Sequence, residues 1–181
     1  MMKVVFLDID GVLNSDSTLY ENISLEDNLI MNLKELIDRT GAKIILSSSW
    51  RTIPAATQKL MNKLDEFNLH LSGMTSEGVE ASFIEAIGFK PTKRFLDDRF
   101  GFELSENKEP NKKYKMTFDR GAEIFKWLCD HDDCAYVILD DDMEDIKPYF
   151  KSKVLIKTRY ETGLTKDDVE KAVKILNGNA N

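Results

Sequence analysis

The sequence predicts an α/β fold in which a central parallel sheet carries helices on both faces. Two observations lead to it. Short apolar runs rich in Val, Ile and Leu alternate with stretches of helical periodicity, the pattern of βαβ units. Three of those runs also end in clustered polar residues, and ligands of open α/β sheets gather at the carboxyl ends of strands.

Lys3 to Leu7 (KVVFL) reads as the first strand. A helix follows from about Leu25 to Arg39, with Ser24 as N-cap, Asp27 at the capping-box position and Gly41 just past its end. Ala42 to Leu46 (AKIIL) is the second strand. A helix over 54–67 comes next, with Pro54 tolerated in its first turn, and Leu69 to Leu71 forms a short third strand. Residues 73–118 are rich in glycine, proline and charge, with weak helical periodicity near 81–87. They read as an insertion or lid within a single domain spanning 1–181. Regular patterning resumes with a helix at 119–129, strands at 135–139 (AYVIL) and 154–156, and a last helix over 166–176. Thr165 caps that helix, with Asp168 three residues on.

Bulk properties exclude several classes. The chain has 181 residues and a net charge of -7, which argues against coating nucleic acid through global charge but leaves room for a local basic groove. No apolar run reaches the ~20 residues of a membrane span, and the N-terminus meets Asp8 too early for a signal peptide, so no membrane partner and a cytoplasmic location are expected. Cys129, His131 and Cys134 offer too few ligands for a structural zinc site and read as part of a helix end with reduced thiols. Oligomeric state is not legible.

The strand ends carry the chemistry. The first runs into Asp8-Ile9-Asp10-Gly11, the second into Ser47-Ser48-Ser49-Trp50-Arg51, the third into Asp140-Asp141-Asp142. One such acid is commonly a cap or turn residue. Asp8 and Asp10 are two apart, so both face one cavity if Ile9 points the other way. Asp140 and Asp141 would enter the same cavity. Carboxylates at close range repel, and a hard divalent cation relieves the repulsion. Magnesium prefers oxygen ligands and is often shared with phosphate, so the cluster implies Mg2+ and a phosphorylated ligand.

Asp8-Ile9-Asp10-Gly11-Val12 resembles the first motif, Asp-x-Asp-x-(Thr/Val), of the haloacid dehalogenase (HAD) superfamily. Ser47 is similar to its second motif and Asp140-Asp141 to its fourth. The third, normally a lysine and sometimes an arginine at the start of the preceding helix, is matched by Arg120, with Lys115 a competing choice. At a finer level the stretches at 45–51, 120–128, 137–142 and 158–165 resemble small HAD-like domains associated with nucleic-acid repair proteins. The resemblance implies a HAD-like Rossmannoid fold with a small cap or none. It implies a Mg2+-dependent phosphatase with Asp8 as nucleophile and Asp10 as general acid and base. Mg2+ would be held by Asp8, the Asp10 backbone carbonyl and Asp140, with Asp141 binding directly or through water. Ser47 and the Ser48 amide would meet the phosphate, and Arg120 would neutralise it and restrain Asp8. Asp145 fits an alternative spacing of the fourth motif.

Asn14 and Ser15 are expected to line the flap after Asp10. Trp50 and Arg51 either contact substrate through stacking and charge, or Trp50 packs against the next helix. Only about thirty residues separate Asp10 from the second strand, leaving no room for a large cap domain there. An open site suits a bulky phosphorylated partner such as a nucleotide or nucleic-acid end. Lys93, Arg94, Lys108, Lys112, Lys113 and Lys115, interleaved with Phe95, Phe100, Phe102 and Tyr114, favour the same class, although Asp97, Asp98, Glu103, Glu106 and Glu109 offset much of that charge. The alternatives are a phosphatase of a small phosphorylated metabolite and a noncatalytic phosphate-binding module; the intact Asp8/Asp10 pair argues against the latter.

Overall fold

The structure is a computed structural model and describes residues 1–16, 24–88 and 116–178. The run Met2–Leu7 (β1) forms the centre of a parallel five-stranded sheet because both its faces are apolar. Val5 and Leu7 point to one side, Val4 and Phe6 to the other, and all four are fully buried. On its two flanks lie Lys43–Leu46 (β2) and Cys134–Asp140 (β6). The elements between them in sequence are Asp27–Thr40 (α1), Pro54–Asp65 (α2), Leu71–Met74 (β3), Val79–Glu80 (β4), Ala81–Ala86 (α3), Met116–Thr117 (β5) and Arg120–Cys129 (α4). Leu155–Lys157 (β7) and Lys166–Leu176 (α5) complete the set. Strand order is β3-β2-β1-β6-β7, and β4 and β5 form a separate antiparallel pair. The expected α/β class, parallel sheet and helices on both faces are all present.

Two apolar layers sandwich the sheet. On one face Val5, Leu7, Ile44, Leu46, Val137 and Leu139 pack with residues of α1, α2 and α5. On the other Val4, Phe6, Ile45 and Ile138 pack with Ile124 of α4 and with Met143 and Ile146. Each fully buried aliphatic side chain contributes about 1.5–3 kcal/mol relative to exposure, so these layers hold the strand ends in register. The order reverses at β1: the chain steps outward through β2 and β3, then crosses to β6 and β7 on the other side. That switch point places the ends of β1 and β6 side by side, with the Asp8 amide donating to the Leu139 carbonyl at 3.0 Å.

Several local expectations hold. Gly41 closes α1 in the left-handed region (φ 67°), its N–H donating to the Ile37 carbonyl. The Thr165/Asp168 capping box starts α5 with both reciprocal bonds made. Two differ. The N-cap of α1 is Glu26, not Ser24, and makes no side-chain cap bond. Glu26 is fixed from outside the helix, since its amide donates to the Leu13 carbonyl and its carboxylate accepts from the Ser15 hydroxyl at 2.6 Å. The third strand lies at 71–74 rather than 69–71, because the Leu69 amide still donates to the Leu64 carbonyl and the residue closes off α2 inside the core.

Of the expected insertion, 89–115 lie outside the described residues, as do the basic and aromatic side chains named within it. Its two ends come together in the β4–β5 pair, where Val79 faces Thr117 and Glu80 faces Met116. Among the described residues no helix is long and apolar enough to cross a membrane.

Candidate active site

The loop leaving β1 is built to project alternate side chains. Ile9 is fully buried in the core, so Asp8 and Asp10 turn the other way and both line one cleft. Gly11 has φ 69°, and a Cβ there would stand 2.6 Å from the Asp141 carboxyl carbon. Only glycine permits both that turn and that approach. Thr158, just past the end of β7, ties the loop down, its hydroxyl donating to the Gly11 carbonyl at 2.7 Å.

Asp8, Asp140 and Asp141 each offer a carboxylate oxygen, and the three lie within 4.8 Å of one another. Arg120, the first residue of α4, reaches into this group. Its Nη1 donates to Asp8 Oδ1 at 2.5 Å, to the Ser47 carbonyl at 2.5 Å and to Asp140 Oδ2 at 3.3 Å. Gly121 lets α4 sit that close, since a Cβ there would lie 2.4 Å from the Asp145 carbonyl. Burial opposes the charge on Arg120, but Asp8 and Asp140 more than offset it and hold the guanidinium above the ordinary arginine range. Lys115, the competing choice, lies outside the described residues.

The carboxylates bear the opposite strain. Burial, then the Asp8 charge, raises Asp140 well above the carboxylate range, with Arg120 opposing. Asp141 is raised for the same two reasons. An all-oxygen donor set of three carboxylates this close together is what a hard divalent cation satisfies, so the residues present fit Mg2+ through Asp8, Asp140 and Asp141. The Asp10 carboxylate stands outside that set. It accepts from Asn14 Nδ2 at 2.8 Å and from the Trp50 indole N–H at 3.1 and 3.3 Å.

A pH dependence follows. An acid with a raised folded pKa binds more protons folded than unfolded, so stability falls as pH climbs from the ordinary carboxylate range through the raised value. Metal-free protein is therefore expected to melt at progressively lower temperature across that window. Mg2+ should restore the melting temperature most at its upper end, and Asp140→Asn should flatten the dependence. Thermal melts with and without chelator, across pH, check this.

The end of β2 is placed beside Asp8 but uses its polar groups differently from the sequence reading. Ser47 is buried, and its hydroxyl has no partner among the described residues. The Ser48 hydroxyl accepts from the Trp50 amide, and its carbonyl accepts from Arg51 Nη1 at 2.6 Å. Neither serine lines the cleft; Ser49 and Thr52 do, from the 3-10 turn that follows. Asn14, expected to meet substrate, is fully buried, with both ends of its amide used within the loop. Arg51 does line the cleft, yet its guanidinium is committed to Glu123 at 2.6 Å in a nearly buried pair. Burial raises the Glu123 carboxyl, against Arg51, and its other oxygen accepts from the Gly78 amide.

Among the described residues the cleft encloses about 250 Å3 and adds Glu77, Phe118, Asp142 and Asp145 to the residues already named. Glu123 went unread in the sequence although it lies three residues after Arg120, on the same face of α4.

A parallel α/β sheet with a three-carboxylate cluster and an arginine at its switch point defines a HAD-type domain, a class whose members are generally hydrolases of the phosphatase type using Mg2+. The family model described as the HAD domain in Swiss Army Knife RNA repair proteins matches residues 4–169, and the chain belongs to that family. No curated protein matches it.

Proposed function

We propose that the chain is a Mg2+-dependent phosphomonoesterase working through a phospho-aspartate on Asp8, with a phosphorylated nucleic-acid end or nucleotide as substrate. One observation carries the catalytic part: Asp8 sits against Asp140, Asp141 and Arg120 at the open end of the sheet, with Asp10 in the same cleft.

In the first step an Asp8 carboxylate oxygen attacks phosphorus and the bond to the leaving oxygen breaks. The Asp10 carboxyl gives that oxygen its proton. In the second step water attacks the same phosphorus and gives its proton to Asp10, and the Asp8–phosphorus bond breaks to release phosphate. Arg120 orients Asp8 and balances charge on the phosphoryl oxygens. Ser47 stands behind the cleft lining and acts there through its carbonyl, which accepts from Arg120. Bound Mg2+ would supply the positive charge that lets an anionic nucleophile meet an anionic ester.

For the substrate, the family's description names RNA repair, and Phe118 in the cleft wall offers a surface for a base or sugar. A small phosphorylated metabolite is the second reading, favoured by one observation. Among the described residues the cleft is lined by eight carboxylates and two arginines, which suits a single phosphate better than a polyanion.

Mg2+-dependent phosphate release should be measured across 3′- and 5′-phosphorylated oligonucleotides, nucleotides and sugar phosphates. The expected result is release that chelator abolishes, with the highest kcat/KM on oligonucleotides or nucleotides. Highest efficiency on a sugar phosphate would select the second reading, and release unaffected by exhaustive chelation would overturn the metal-dependent mechanism.

A further inference from the structure

The Asp10 carboxylate is held on both oxygens by groups that the two-step reaction does not itself require. The Trp50 indole N–H donates to Oδ2 at 3.1 Å and to Oδ1 at 3.3 Å, and Asn14 Nδ2 donates to Oδ1 at 2.8 Å. Neither donor is free to wander. The Gly11 amide donates to Asn14 Oδ1 at 2.8 Å, and a backbone N–H can only donate, so the NH2 end of Asn14 must face Asp10. Asn14 is fully buried. Trp50 is 4 % exposed, its ring belongs to the apolar layer beneath the site, and its carbonyl is tied down by the Thr57 hydroxyl at 2.8 Å. A carboxylate torsion is otherwise broad and nearly two-fold. Donors from two directions, each locked by its own packing, leave Asp10 one orientation.

We propose that Trp50 and Asn14 are positioning residues for Asp10, and that the indole N–H aims the Asp10 carboxyl at the leaving oxygen. The assignment rests on the phosphatase reading above. Trp50 joins the core to the chemistry: its ring is packed with the aliphatic side chains of the sheet, and its one polar atom points at the carboxyl that must deliver a proton. Asn14 belongs to the same device, acting from within the loop and not on substrate.

The consequence depends on the leaving group. An alkoxide leaves poorly without a proton, so an alkyl phosphate needs a well-aimed acid in the first step. The p-nitrophenolate ion leaves without one. The ratio kcat/KM reports events up to the first irreversible step, here formation of the phospho-aspartate, and so isolates the acid role of Asp10 from its later role as base. Trp50→Phe keeps an aromatic ring in the core and deletes the N–H. A positioned general acid contributes about 10²–10⁴-fold, and losing half its anchorage is expected to lower kcat/KM for an alkyl phosphate by about 30-fold. For p-nitrophenyl phosphate the same variant should change kcat/KM by less than about 3-fold.

Equal losses on both esters, which a merely structural role would produce, would overturn the proposal, as would no loss on either. If the unaltered protein hydrolyses neither ester, the phosphatase reading itself falls, a result distinct from an active enzyme whose variant loses both activities alike. A second measurement needs no change at Trp50. The chain has two tryptophans, Trp50 and Trp127, giving two indole N–H resonances. Asp10→Ala should move the Trp50 resonance upfield and leave that of Trp127, on the opposite face of the sheet, in place. A Trp50 resonance that does not move would refute the contact whether or not Trp50→Phe folds.

Discussion

Asp8→Asn is expected to lower phosphatase turnover by at least about four orders of magnitude, in line with the removal of other catalytic nucleophiles. The substitution preserves shape. An asparagine oxygen can still accept from Arg120, and the backbone bond from residue 8 to the Leu139 carbonyl is untouched, so the fold should survive. It also removes the charge that helps raise the pKa of Asp140 and Asp141. The circular dichroism spectrum should therefore match the unaltered protein while phosphate release disappears. Substantial turnover in a folded, metal-replete preparation would assign the nucleophile elsewhere.

Arg120→Ala should damage both chemistry and stability. Arg120 touches Asp8, Asp140 and the Ser47 carbonyl from a single nitrogen, bridging the ends of β1, β2 and β6. Removing it leaves two buried carboxylates facing each other without a counter-ion. Breaking a buried pair from one side typically costs about 3 kcal/mol or more, so metal-free Arg120→Ala should unfold at clearly lower denaturant concentration, with Mg2+ recovering part of the loss. Turnover should fall by about 10²–10³ even at saturating metal, the usual effect of losing one positioned donor at a developing charge. Arg120→Lys should restore some rate, since charge returns without the multiple contacts. Lys115→Ala serves as the control and should leave both properties near their original values. A reversed pattern, with Lys115→Ala inactive and Arg120→Ala active, would reassign the third-motif role.

Both predictions use residues that could be read from the sequence, because the first-order signals there are strong. An apolar run closed by polar residues marks a strand end, and three such ends in order, with Arg120 on the helix before the last of them, are hard to produce without a common cavity. The sheet was legible for the same reason. β1, β2 and β6 are buried on both faces and stand out as uninterrupted Val/Ile/Leu runs. The β4–β5 pair was not legible, since two residues per strand carry no periodicity and their partnership spans a long sequence gap. The start of α1 was misplaced because a capping motif is a local signal, whereas Glu26 is fixed by Leu13 and Ser15.

The supporting residues of the site were harder to read for a related reason. Trp50 and Asn14 look like core and loop residues, and they are; their function lies in where one N–H points. Arg51 looked like a substrate contact because nothing near it in sequence reveals Glu123, 72 positions away, as its partner. Side chains that contact a ligand announce themselves by residue type at a strand end. Those that hold another side chain are set by packing across the fold.

The most direct test of the central claim is to trap the intermediate on Asp8. Asp10→Asn should still form a phospho-aspartate from p-nitrophenyl phosphate, whose leaving group needs no proton, but should hydrolyse it slowly without its base. Rapid quenching with borohydride reduces an acyl phosphate to the alcohol, so peptide mass spectrometry should find homoserine at position 8 in a substrate- and Mg2+-dependent manner. Reduction at another carboxylate, or none at position 8 while p-nitrophenol is released in a burst matching the enzyme concentration, would contradict it.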